Sequence, residues 1–190
     1  MAKVIGPVGI REPALRKSAF ILAIVALCAL YSSAQEARPT ESQVEAVYLY
    51  NFGKFVTWPD RASQRELFGI CILGKDPFGE VLDATVNGES VGGKQTKVQR
   101  LSNVEEAGSC SILFISAAEE KRLPTILAVA QRMNTLTVSD IPDFAERGGI
   151  IGLVKQKDRV RFEVNRKAAE QSHLVLSSEL LKVALRVVGK

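Results

Sequence analysis

The sequence predicts an α/β fold: a mostly parallel sheet with helices on both faces, three layers in all, and an antiparallel hairpin at one edge. Three observations carry this. Residues 67–73 (LFGICIL) and 110–115 (CSILFI) are almost wholly apolar runs, the pattern of strands covered on both faces. Cap-opened helical stretches alternate with strand-like ones along the chain. Residues 150–154 and 159–164 flank Lys155-Gln-Lys-Asp158, as the arms of a hairpin do.

In chain order, Thr40 with Gln43 three residues on is a capping box, and the helix it opens is predicted to reach Thr57, ahead of Trp58-Pro59. Val44, Val47, Tyr48, Phe52 and Phe55 form one apolar stripe of that helix; Ala46, Leu49, Tyr50, Gly53 and Val56 form a second. A helix apolar on so much of its circumference must be covered on most sides. After the first strand, Asp76-Pro77 opens a helix to about residue 85. Asn87 to Gly93 is a glycine-rich turn, and residues 96–101 alternate as a half-exposed strand. Ser102 with Glu105 caps a short helical turn before the second apolar strand. Ser116 with Glu119 opens a helix to about Met133, which Pro124 must break or kink. A strand over 134–139, a turn-rich link over 141–149 and the hairpin follow. Asn165 caps a short helix, and Ser177 or Ser178 opens a last helix predicted to reach Val188.

The N-terminus has a different character. Arg11, Arg16 and Lys17 precede 14 uncharged apolar residues (18–31), and Ser32-Ser33-Ala34 offers small side chains for cleavage after Ala34. Fourteen helical residues span about 21 Å, short of a hydrocarbon core of about 30 Å. Residues 1–34 therefore read as a signal peptide and 35–190 as one exported domain. The leader holds four of the 25 basic side chains (Lys3, Arg11, Arg16, Lys17) and one of the 21 acids (Glu12), which leaves the remainder at +1. The basic character is thus a property of the leader and gives no ground for a nucleic-acid partner. Export also means an oxidising compartment. Cys71 and Cys110 lie in the two strands expected at the sheet centre, so a Cys71–Cys110 disulfide is expected; the other state open to them is a pair of buried thiols.

Nothing in the sequence argues for an enzyme. One histidine, His173, excludes any mechanism needing two imidazoles, and three cysteines cannot make a four-thiolate zinc site. No cofactor or metal is expected. Gly88-Glu-Ser-Val-Gly-Gly-Lys94 has the spacing of a phosphate-binding loop up to its lysine. However, Gln95 stands where a magnesium-binding hydroxyl belongs, and a strand follows instead of a helix. A surface hairpin is the better reading.

The most informative segment is Tyr48-Leu-Tyr-Asn-Phe-Gly-Lys-Phe-Val-Thr-Trp-Pro59. Its aromatic residues suit core packing and also an interface, where such residues are enriched. Asn51 shares the stripe with Tyr48, Phe52 and Phe55, so its amide is expected to bond to a neighbouring loop. The set Tyr48, Tyr50, Asn51, Phe52, Lys54, Phe55, Trp58 and Pro59, after a signal peptide, resembles the start of the YfiR-type periplasmic domain. Gly148-Gly149, then Arg159-Val-Arg-Phe-Glu-Val-Asn165, then Leu174 and Ser177-Ser-x-Leu-Leu181 fit the same family over nearly all of residues 41–188. Relatives often have Ile at the position of Val164, and some carry a further cysteine pair near the Gly-Gly step that this chain lacks. The resemblance implies a non-enzymatic repressor that restrains an inner-membrane diguanylate cyclase, lowering cyclic di-GMP signalling and biofilm formation. It also implies an outer-membrane lipoprotein that can sequester the repressor. The alternative is a periplasmic small-ligand-binding sensory domain with its cleft at the carboxyl ends of the parallel strands; a secreted hydrolase would need clustered polar groups that the sequence does not show. The first helix carries more apolar surface than one sheet face can cover, so a homodimer is expected. The two short helical pieces after Asn165 are expected to leave a groove lined by Ala169, Leu174, Leu176 and Leu181, with His173 and Arg166 at its rim, as a partner surface.

Overall fold

A computed structural model describes residues 38–59 and 65–189; the expected leader and its cleavage site lie outside them. The elements are α1 (Glu41–Phe52), β1 (Val56–Thr57), β2 (Phe68–Leu73), α2 (Glu80–Val86), β3 (Ser90–Val91), β4 (Lys94–Leu101), β5 (Cys110–Ile115), α3 (Leu123–Arg132) and β6 (Leu136–Ser139). They continue with β7 (Ile151–Gln156), β8 (Arg159–Asn165), α4 (Arg166–Gln171), β9 (Val175–Leu176), α5 (Ser178–Val183) and β10 (Arg186–Val188). Single 3₁₀ stretches, Val104–Ser109 and Ala117–Arg122, precede β5 and α3.

The main sheet has eight strands in the order β10-β8-β7-β6-β5-β2-β4-β3. The five in the middle, β7 through β4, are mutually parallel. β8 returns antiparallel to β7 through a turn in which Lys157 and Asp158 both take positive φ. At the far end β3 and β4 form the glycine-rich hairpin, with Gly92 and Gly93 at positive φ. Alternation divides the sheet into two faces. Ile70, Ile72, Ile112, Phe114, Leu136 and Val138 share one core with Leu49 and Phe52 of α1, Leu82 of α2, Ala169 of α4 and Leu180 of α5. Cys71, Leu73, Leu113 and Ile115 share the other with Leu123, Ile126 and Ala130 of α3. The three-layer α/β reading of the sequence therefore holds.

Four local expectations are corrected. The first helix ends at Phe52, not Thr57. A Cβ on Gly53 would sit 2.8 Å from the Phe68 ring, and beyond it Val56 and Thr57 pair antiparallel with Leu176 and Val175. Tertiary pairing has overridden local helical periodicity. The helix opened at Asp76 starts only at Glu80: the Asp76 carboxylate accepts from the N–H groups of Phe78 and Gly79 and closes a turn, and Gly79 takes a positive φ. Ser102 does not cap the following 3₁₀ stretch, whose N-cap is Asn103. The last helix stops at Val183, and Arg186–Val188 forms β10, parallel to β8. The hairpin β7-β8 is therefore one strand in from the edge. Arg186 fixes β10 there: its guanidinium donates to both carboxylate oxygens of Glu163, at 3.1 and 2.9 Å, and to Glu146. Pro124 acts as expected: the chain is 3₁₀ before it, and the proline sits in the first turn of α3.

Candidate functional site

Cys71 and Cys110 are bonded, with Cα atoms 5.7 Å apart, inside the geometric range for a disulfide. The approach depends on an irregularity. Gly69 pairs with Cys110 and Ile70 with Ile112, so Ser111 is the extra residue of a β-bulge. A Cβ on Gly69 would lie 2.6 Å from the Ser109 carbonyl, so only glycine lets β5 enter this close.

The aromatic segment of α1 faces mostly inward. Tyr48 stacks on Phe52 at 5.7 Å, both meet Phe162 edge to face, and the Tyr48 hydroxyl donates to the Val160 carbonyl at 3.3 Å. Tyr50 is buried, and its hydroxyl donates to the Glu89 carboxylate at the foot of β3. Trp58 meets Phe68 edge to face at 5.3 Å, and Pro59 is half-buried beside it. Of the motif, Lys54 and Phe55 reach the surface, Lys54 with its ammonium 4.1 Å from the Tyr50 ring centroid. The Asn51 amide forms no hydrogen bond with another described residue and is half-exposed, so the expected tie to a neighbouring loop is not made among them.

The C-terminal corner is open. A groove of about 280 Å³ is lined by Arg166, Ala169, Leu174, Leu176 and Leu181 together with Glu170, Val175 and Ser178. Its floor is fixed: Ala169 and Leu174 are buried, and the Leu174 N–H donates to the Ala169 carbonyl at 2.9 Å. Arg166 and Glu170 pair across one side at 2.9 Å. His173 does not line it. That residue takes a positive φ, and its ring lies 3.1 Å from the Asn134 amide instead. Val175, which the sequence reading did not count among the lining residues, stands at the groove 66% exposed, and Val183 at the end of α5 is 60% exposed. The Leu-Val-Leu alternation at 174–176 is the signal that places Val175 outward while its neighbours turn in. The corner is sewn to the motif, since β9 pairs with β1 and the Ser177 N–H donates to the Phe55 carbonyl at 2.9 Å.

One ionisable group is out of place on α1. Glu45 is 7% exposed; burial, then the charges of Asp140 and Glu41, push its carboxyl up to about 7 against the pull of Lys155. Among the described residues no cluster of His, Cys, Asp and Glu could hold a metal ion, and no helix is long and apolar enough to cross a membrane.

Solved structures share this architecture. A conserved domain protein from Vibrio cholerae O1 biovar eltor superposes with a TM-score of 0.54 at 10% identity, covering 78% of this chain and 60% of that one. An ABC domain from Streptococcus pneumonia, solved in complex with L-Trp, gives 0.52 at 11% identity, covering 74% and 59%. The chain thus spans about 60% of the length of these structures, and at such identities the likeness is one of fold alone. A comparison with curated proteins finds no match. Family comparison matches residues 42–185, from the second residue of α1 to the foot of β10, to the description "YfiR/HmsC-like". The Tyr48–Pro59 segment, the Gly148-Gly149 step, the β8 strand and the Leu-rich corner all fall within that span, and the chain belongs to the YfiR/HmsC-like family.

Proposed function

We propose that this protein is a periplasmic, non-enzymatic repressor that binds and restrains an inner-membrane diguanylate cyclase, lowering cyclic di-GMP signalling and biofilm formation. An outer-membrane lipoprotein competes for it and releases the cyclase. Family membership supports the class of function. The observation that carries the contact surface is the groove between α4 and α5, with a buried apolar floor and Val175 66% exposed at its lip. Exposed apolar side chains gathered around a shaped groove suit a protein partner. Phe55, half-exposed on the chain that β1 ties to β9, extends the same surface.

The test is capture of the cyclase from solubilised membranes by the tagged protein, with Val175→Asp and Leu176→Asp compared. Val175 is largely in solvent, so Val175→Asp should leave Tm within about 2 °C of wild type while abolishing capture. A folded Val175→Asp protein that captures the cyclase normally overturns this placement. A Leu176→Asp protein that fails to fold identifies Leu176 as core, and Val175→Asp then decides alone. The same exposed side chains support a homodimer, which light scattering at micromolar concentration reads as twice the mass of the chain; a single-chain mass refutes it.

A further inference from the structure

A second concavity, of about 670 Å³, opens at the amino ends of β2 and β5, between the Gly53–Trp58 segment and the β3-β4 hairpin. This volume lies within the range of small-molecule sites, about 300–1,000 Å³. Its back wall is apolar: Val56, Phe68 and Val91 are buried, and Trp58 packs on Phe68. Lys54 and Lys94 are among its lining residues, and among the described residues that line it none is acidic. The Lys54 ammonium is held at the mouth by the face of Tyr50, at 4.1 Å, and the hydroxyl of Tyr50 is in turn anchored to Glu89.

The observation that points to a ligand lies at the base. Ser111, the extra residue of the β5 bulge, lines the cavity and is only 5% exposed; its hydroxyl bonds to no other described residue and is left accessible as a hydrogen-bonding group. Bulges near sites re-aim a side chain, and this one turns a hydroxyl into a concavity instead of into the ladder. The glycine-rich segment that mimics a phosphate loop in sequence thus has a different use here. Gly92 sits at the cavity edge at positive φ, where a Cβ would meet nothing, and leaves the entrance open.

We propose that this cavity binds a small organic anion with a flat apolar body: its carboxylate at the Lys54 ammonium, its ring against Trp58 and Phe68, and a second polar group hydrogen-bonded to Ser111. The site is separate from the C-terminal groove and does not depend on the repressor reading.

The probe is para-hydroxybenzoate, titrated into the purified protein by calorimetry, with the fluorescence of Trp58, the sole tryptophan, as a second readout. Saturable binding at one site per chain is expected. The neutral para-hydroxybenzamide should bind about tenfold more weakly, and Lys54→Gln should weaken para-hydroxybenzoate by about the same factor while Lys54→Arg restores it. Ser111→Ala should weaken para-hydroxybenzoate about fivefold but leave benzoate, which lacks the hydroxyl, unchanged. Lys54 is exposed, so its variants fold. Absence of saturable binding overturns the proposal, and so does a Lys54→Gln protein that binds the probe like wild type. Loss of cyclase capture by groove variants with probe binding intact would leave this site standing; the reverse result would leave the groove standing.

Discussion

Replacing both cysteines by alanine measures what the Cys71–Cys110 bond contributes. The bond joins residues 39 apart in sequence and encloses α2, the β3-β4 hairpin and the first 3₁₀ stretch. In the chain-entropy account a closed loop of this length lowers the entropy of the unfolded chain enough to stabilise the fold by about 4 kcal/mol. Both side chains are fully buried, so each truncation to alanine adds a small packing loss in the core beneath α3. For a domain of about 150 residues, where 1 kcal/mol moves Tm by about 2–4 °C, the double variant should melt about 8–16 °C lower. Urea titration should show a lower midpoint and a larger slope, because the uncrosslinked chain exposes more surface when it unfolds. Two reactive thiols in the denatured, unreduced wild-type protein, or a melting point lowered by less than about 3 °C, would refute the reasoning.

Other outcomes follow from single side chains. Because the Glu45 carboxyl is raised from 4.5 to about 7, the folded state holds that proton more tightly than the unfolded chain. Its stabilising contribution is full below about pH 4.5 and is lost as pH rises through about 7, about 3 kcal/mol in all. Glu45→Gln should therefore match wild type near pH 4.5 and be more stable near pH 8 by about that amount, read from urea midpoints; equal midpoints at both pH values would sink this. Gly149→Ala would drive a methyl into the buried Phe144 ring, a change that should cost about 3 kcal/mol; an unchanged denaturation midpoint would show that Phe144 can move aside.

Much of this architecture is visible in the sequence because it rests on local chemistry. The strands at Phe68–Leu73 and Cys110–Ile115 are announced by apolar runs that nothing but a doubly covered sheet can hide, and their centrality made the disulfide legible. Caps at Thr40, Ser116, Asn165 and Ser177 are likewise short-range hydrogen bonds. What escaped is set by residues far apart in the chain. β10 is a strand because Leu185 donates to the Phe162 carbonyl and Arg186 finds Glu163, contacts a helical pattern cannot foresee. The same holds for the end of α1, fixed by β9 more than a hundred residues later. The groove was legible as a corner between two short helices, and the Leu-Val-Leu alternation carried the outward turn of Val175, but the exposure of Val183 was not legible, since it depends on how α5 seats on the fold. The cavity at Ser111 is assembled from four separate segments, and the sequence pointed to the opposite ends of the strands.

The crossover from β8 to β10 contains the whole C-terminal corner: α4, β9 and α5 are its passengers, and a three-residue edge strand is its far mooring. The groove is therefore not carved into a rigid body. It is carried on a strap that leaves the sheet at β8, the strand next to the edge, is pinned midway by β9 on β1, and ends in the backbone ladder of Arg186–Val188 and one arginine. Such a strap can peel from its outer end while the disulfide-bonded half of the sheet stays folded. Amide protons of β10 and α5 should exchange sooner than those of β2 and β5, and a partner seated in the groove should slow them at a distance by holding the mooring shut.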